Sequence, residues 1–347
     1  MMQTRSFGKL HSGQMAQLFV LENRNHMQVG ITNFGGAVVF IKVPDWQGEP
    51  LDVVLGYDDV QGYETRDTNF GVLVGRYANR IQGGEFSLDG KTYILEKNEG
   101  QNHLHGGSQG FGHKLWDYEI LSDGVLKLTL MSPDGEGGYP GNVTATVTYA
   151  LDDENCLSID YLVTTDQETI CNMTNHSYFN LNGQSSGTIL NHILEIDADA
   201  ITAIDEEGIP TGEILSVGNT PFDFRQPKPI GRDMWTPHPQ LEHTRGYDHN
   251  FVLNEKGAYM AKAKGEKSNL VMEMETTCPG VQLYVGNYLN HELGKEGIVY
   301  PTYGGFCLET QLFPDSIHHR SFPSCVIDKD HPWKHSTKYR FYLEEKV

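Results

Sequence analysis

The chain is short of basic residues: 26 Lys and Arg stand against 46 Asp and Glu in 347 residues, a formal charge of −20. Displacing counterions from phosphates takes a basic stripe. None is present, which argues against nucleic acid as a partner, and an anionic membrane surface would repel the chain. A neutral ligand is the natural expectation. Long apolar runs are missing as well. The longest early one, Leu18-Phe19-Val20-Leu21, is too short for the core of a secretory signal, and no stretch approaches the roughly 20 residues of a membrane helix. The five cysteines (Cys156, Cys171, Cys278, Cys307, Cys325) are odd in number and never in a Cys-x-x-Cys spacing, a pattern that points to reduced thiols and a cytoplasmic address. There is no long amphipathic helix, no linker, no low-complexity tract and no repeat of fixed period. A rule of about 150 residues per domain would allow two, but nothing cuts the chain, and one domain over residues 1–347 is expected.

What is present is strand after strand. Val143 to Leu151 alternates apolar with polar side chains and is dominated by Val, Thr and Tyr, the signature of a half-buried strand. Leu157 to Val163, Val271 to Thr277, Val125 to Leu130 and Ile193 to Ala198 follow the same rule. Asp89-Gly90, set between Phe86-Ser87-Leu88 and Lys91-Thr92-Tyr93, is a dipeptide suited to a two-residue hairpin turn, and Asp123-Gly124 sits similarly. With 38 glycines and 15 prolines punctuating such segments, the expected fold is all-β, an antiparallel sandwich or barrel. A chain this long buries a large core without a metal or disulfide staple.

The stretch that organises the rest is Asn172-Met173-Thr174-Asn175-His176-Ser177-Tyr178-Phe179-Asn180-Leu181. It places one histidine among polar side chains in a strand-like segment. An imidazole of ordinary pKa about 6.5 is suited to proton transfer near neutrality, and Asn175, Tyr178 and Asn180 would surround it with donors and acceptors for a polyhydroxylated ligand. Four further segments admit bland readings on their own. Gly75-Arg76-Tyr77-Ala78-Asn79-Arg80-Ile81 could be a strand end whose arginines reach water. In Asn102-His103-Leu104-His105-Gly106-Gly107 the two histidines would share a strand face and could chelate a metal with His318-His319 and nearby carboxylates, but the spacing supplies no complete zinc set. Asp248, in Gly246-Tyr247-Asp248-His249, could close an Asx-turn. Glu309, in Phe306-Cys307-Leu308-Glu309-Thr310-Gln311, is costly if buried unpaired and trivial if it points to solvent.

Asn-x-Thr-Asn-His-x-Tyr-Phe-Asn-Leu resembles the signature of the aldose 1-epimerases, the galactose mutarotase family. Asn79-Arg80, the Asn-x-Leu-His-Gly-Gly around His105, Tyr247-Asp248-His249 and Leu308-Glu309-x-Gln-x-x-Pro314-Asp315 resemble its other motifs in the same order, with agreement at Pro221-Phe222-Asp223-Phe224-Arg225. The C-terminal part departs: His318-His319 and Lys329-Asp330-His331-Pro332 stand where an Asn-His pair and a Pro-Gly turn would be expected. The resemblance implies a large antiparallel β supersandwich. It also implies an activity, interconversion of the α and β anomers of a free aldohexose such as galactose or glucose, with neither cofactor nor metal. Residue by residue it makes Glu309 the base at O1, His176 the acid at the ring oxygen and His105 an aid on that side. Asn79, Arg80, Asp248 and Tyr178 would hold hydroxyls, and Gln282 would touch the ligand through its amide. Arg76 is left as structural and His249 as supporting. Two rivals stay open: a glycosidase using Asp248 and Glu309 as paired carboxylates, and a noncatalytic sugar-binding module.

Overall fold

A computed structural model describes residues 2–254 and 257–345. The alternation in Val143–Leu151 is realised residue by residue, with Val143, Ala145, Val147, Tyr149 and Leu151 buried and the Thr residues between them half-exposed. This strand pairs antiparallel along its whole length with Cys156–Thr165, from Val143 opposite Thr165 to Leu151 opposite Leu157. Both lie in a nine-stranded sheet that runs, in order, Asp117–Ser122, Val125–Ser132, Val143–Leu151, Cys156–Thr165, Trp333–Leu343, Leu270–Thr276, Ala261–Lys264, Ile193–Ile196 and Lys228–Pro229. A five-stranded sheet of Pro210–Ser216, Ala198–Ile204, Asp248–Leu253, Gly280–Tyr284 and Cys307–Gln311 lies against it, and residues 3–52 form a second five-stranded sheet. All named pairings in the three sheets are antiparallel, so the fold is all-β, as expected, and the largest helix described, Val60–Thr65, has six residues. Asp89 and Gly90 both take positive φ (49° and 73°) and close the hairpin in which Leu88 faces Lys91. Among the described residues no helix is long and apolar enough to cross a membrane.

The large sheet and the Asp248-containing sheet touch along two strands. The Tyr339 hydroxyl donates to the Leu308 carbonyl at 3.0 Å, and the hydroxyls of Thr310 and Thr337 meet across the same seam. Because side chains alternate along a strand, packing Leu308 and Thr310 on the large sheet turns Cys307, Glu309 and Gln311 the other way, all buried. The catalytic candidate on this strand is therefore set by the face that its neighbours choose.

Residues 172–181 differ from the strand-like expectation. Only Thr174–Asn175 forms a strand, a short one paired with Leu73–Val74, yet the segment is buried throughout. It changes partner repeatedly: Asn172 N–H donates to Arg76 O, His176 N–H to Val72 O, Phe179 N–H to Phe306 O and Asn180 N–H to Val53 O, at 2.7–3.0 Å. Irregular backbone inside a protein needs side-chain partners for the groups no ladder satisfies, and the asparagines supply them. Asn172 Oδ1 accepts the Leu312 N–H at 2.9 Å while its Nδ2 reaches Ala78 O and Leu312 O. Asn175 Nδ2 donates to Gly71 O, and Asn180 Nδ2 to Gly187 O and Gly304 O. Asn175 and Asn180 therefore hold backbone rather than surround the imidazole.

Asn172 joins the segments that carry Arg80, His176 and Glu309, so its removal should be felt at once. Asn172→Leu, close in shape but unable to hydrogen-bond, is expected to lose about 1–3 kcal/mol of stability by leaving buried backbone groups unpaired, read as a lower urea midpoint at unchanged slope. A loss below about 0.5 kcal/mol, the scale of a surface substitution, would contradict this role.

Candidate active site

Five segments converge on a cavity of about 230 Å³, whose wall includes Asn79, Arg80, His105, His176, Tyr178, Asp248 and Glu309. Glu309 comes from Cys307–Gln311 and Asp248 opens Asp248–Leu253. Arg80 begins the two-residue strand that pairs with His103–Leu104, and His105 follows in a turn with positive φ (54°). Gln282 lies beneath the wall, on the strand between those of Asp248 and Glu309 and in register with Glu309.

Glu309 and His176 face each other with Oε1 3.6 Å from Nε2, each almost fully buried. Burial pushes the Glu309 carboxyl well above the ordinary carboxylate range; the charge of Asp248 adds to this and that of Arg80 opposes it. Burial also lowers His176, to about 4. Both shifts disfavour charge, so the pair holds one mobile proton between them, and its titrations belong to the pair rather than to either residue. Glu309 Oε2 is buried without a hydrogen-bond partner. Such a group is costly, and a ligand hydroxyl would satisfy it.

His105 meets His176 edge to face, ring centroids 5.4 Å apart. Its Nδ1 faces the Asn79 N–H at 3.2 Å, and burial, with the nearby His176 and Arg80, holds it well below its usual range. A neutral imidazole that accepts at Nδ1 carries its proton on Nε2, so His105 is a hydrogen-bond donor. This bears on metal binding too. His105, His176 and Glu309 bring ligand atoms within 4.8 Å of one another, but a metal-ligating histidine donates its non-ligating N–H to an acceptor, whereas His105 Nδ1 faces a donor. The donor set fits proton transfer better than an ion. His103 does not share a face with His105; it is spanned by Glu96 O at Nδ1 and the Tyr139 hydroxyl at Nε2. His318 and His319 both turn to Asp315.

At the other end of the cavity Arg80 is half-buried with its fork on Glu99, Nε to Oε2 at 2.6 Å and Nη2 to Oε1 at 2.8 Å. Nη1 is left over, 3.9 Å from Asp248 Oδ2. Burial works against the guanidinium charge, but the Glu99 hydrogen bonds and the Asp248 charge outweigh it and raise its pKa above normal. Asp248 is raised by burial, against the pull of Arg80 and Gln282, and Gln282 Nε2 donates to its Oδ1 at 2.7 Å. Tyr178 stacks on His176 with ring centroids 5.0 Å apart, while its hydroxyl donates away to Thr68 O. Arg76 reaches the Ser132, Pro133 and Pro140 carbonyls, and His249 packs against Phe222. Sequence reasoning missed Glu99, which sits in no motif; a half-buried Arg needs such a bidentate partner, but sequence cannot say which. It also missed Tyr284 and the half-exposed Tyr288, which line the mouth.

A family model for aldose 1-epimerase matches residues 17–340. Galactose mutarotase from Bos taurus is 43% identical over 339 residues, covering 96% of this chain and 97% of the bovine one. Aldose 1-epimerase from Escherichia coli is 35% identical over 337 residues, with 96% and 97% covered. Among solved structures, galactose 1-epimerase from Lactobacillus acidophilus matches with a TM-score of 0.87 at 28% identity, covering 99% of this chain and 100% of its own. An aldose epimerase homologue from C. elegans reaches 0.88 at 28% identity, with 94% and 99% covered. The ordered motifs, the all-β architecture and these matches over nearly the full length agree, and the chain belongs to the aldose 1-epimerase family.

Proposed function

We propose that this protein interconverts the α and β anomers of a free aldohexose such as galactose or glucose, with Glu309 and His176 as the acid/base pair. The observation that carries the reading is the buried pair at the cavity wall, with Glu309 Oε1 3.6 Å from His176 Nε2. In the ring-opening half, the proton of the pair first lies on His176 as an imidazolium beside the Glu309 carboxylate; Glu309 takes the proton of the C1 hydroxyl, the C1–O5 bond breaks with its electron pair moving to O5, and O5 takes the Nε2 proton of the imidazolium. The open chain then carries a C1 aldehyde, Glu309 is protonated and His176 is neutral, which is the distribution that burial favours for both groups. After rotation about C1–C2, O5 returns its proton to His176 as it attacks the other face of the carbonyl, and O1 recovers the proton from Glu309. Atoms and protons balance over the cycle and no cofactor takes part.

His105 would donate through Nε2–H on the ring-oxygen side, while Asn79, Arg80 Nη1 and Asp248 would hold the remaining hydroxyls. Gln282 would act by steadying Asp248, and Tyr178 by presenting its ring. A glycosidase pairing of Asp248 with Glu309 is not favoured, since it leaves His176 idle. A module that only binds neutral sugar has no need of the proton-sharing pair. Supporting a single domain is the family match across residues 17–340, and the five free, buried cysteines are consistent with a cytoplasmic setting.

Polarimetry tests the reading. The protein should speed the decay of fresh α-galactose or α-glucose rotation, and Glu309→Gln or His176→Asn should cut kcat by about 10²–10⁴, the usual contribution of a positioned acid or base, with circular dichroism unchanged. Full activity in either folded variant would sink the assignment. Asp248→Asn should act differently, raising KM about tenfold as a charge-assisted hydrogen bond is weakened, with a smaller change in kcat; an unchanged KM would remove Asp248 from the binding set.

A further inference from the structure

Gln311 lies two residues beyond Glu309, so the two side chains share a face of their strand, and it is fully buried. Its Nε2 donates to Gln282 Oε1 at 3.4 Å, and Gln282 Nε2 donates in turn to Asp248 Oδ1 at 2.7 Å. The two amides form a chain of donors that points one way, from the strand of Glu309 to the carboxylate at the far end of the cavity.

Gln311 is a poor choice for stability alone. Its Oε1 is buried without a hydrogen-bond partner, and a buried amide that pairs only one of its ends carries a cost that an apolar side chain of the same length would not. What it does is fix its neighbour. Among the described residues Gln282 Oε1 accepts from Gln311 and from nothing else. An amide held at both ends keeps Nε2 on Asp248; one whose buried oxygen has no donor is free to rotate, and Asp248 then loses the donor on Oδ1. Burial raises the Asp248 carboxyl, the charge of Arg80 and the Gln282 hydrogen bond lower it, and the charge of Glu99 raises it. Glu309, Tyr284 and Tyr288 also lie close enough to feel its charge. Loss of the amide donor therefore moves Asp248 further up.

We infer that Gln311 is a positioning residue for sugar binding, its amide holding Gln282 in the orientation that presents Asp248 to the hydroxyls. The inference rests on the reading of Asp248 as a sugar-binding carboxylate. A merely structural amide would tie stability and activity together, whereas a positioning one separates them.

Gln311→Met keeps the length of the side chain and removes the donor. It should raise KM for galactose about three- to tenfold, the range of one lost hydrogen bond, with a smaller change in kcat. The urea midpoint should stay unchanged, one unpaired buried oxygen having replaced another. In a Gln282→Met background the same Gln311→Met change should add nothing further, because the amide it orients is gone. Carboxyl ¹³C spectra, with Asp248 assigned by its absence from Asp248→Asn, should show its titration moved to higher pH in Gln311→Met, a readout that needs no turnover. An unchanged KM and an unchanged Asp248 titration would overturn the inference, as would a Gln311→Met effect that persists at full size without Gln282. Should the methionine variant fail to fold, Gln311→Leu carries the same expectations, and failure of both to fold would make Gln311 structural and overturn the inference as well. Failure of the anomerisation reading would appear separately, as a wild type that leaves the rotation of fresh galactose unaccelerated while the Asp248 titration stays readable.

Discussion

The structure depends on satisfying one stretch of irregular backbone that has no water to turn to. Residues 172–181 thread through the interior, leave one partner for the next within a few residues and never settle into a ladder long enough to pair their own groups. Each unpaired buried amide or carbonyl would cost about 1–3 kcal/mol. Side-chain amides meet that demand, and in doing so Asn172 binds the Arg76–Ala78 backbone to the turn after Glu309. His176 sits in the middle of this arrangement, and its backbone N–H and carbonyl are both taken, by Val72 and Gly71. The polar richness of the segment is the means by which a histidine is held still at a depth where its charge is disfavoured.

Depth then supplies the chemistry. The same removal from water raises Glu309 and lowers His176, inverting their ordinary order. At rest the proton therefore lies on Glu309 and the imidazole is neutral, and the reaction's two halves run the same transfers in opposite directions. The far end of the cavity is tuned differently. Glu99 takes most of the Arg80 fork and Gln282 steadies Asp248, so a charged pair is kept rigid and partly unsatisfied at the place where sugar hydroxyls would bind.

Local pattern foretold local structure. Alternation in Val143–Leu151 and the Asp89-Gly90 turn were legible because each depends on a period of two or a pair of positive φ angles, properties written in consecutive residues. Family motifs located the residues that meet at the cavity, though roles within it depend on contacts between segments far apart in the chain. Asn175 and Asn180 look like ligand groups until the backbone they satisfy is seen. His103 looks equivalent to His105 until the positive φ at His105 turns the chain and sends His103 to Tyr139. Glu99 was silent because a salt-bridge partner 19 residues from Arg80 leaves no periodic trace.

The central claim is that a buried pair sharing one proton drives the reaction, and the pH dependence of kcat/KM for the wild type, corrected for the uncatalysed rate, tests it most directly. The account predicts a bell. Activity falls on the acid side near the His176 value of about 4, as the pair takes on a second proton. It holds across neutrality, and it falls again on the alkaline side, well above the ordinary carboxylate range, as the single proton is lost. A profile that rises once through about 4.3, the ordinary Glu value, and stays flat to high pH would mean that an unperturbed carboxylate acts alone, and would contradict the shared-proton account.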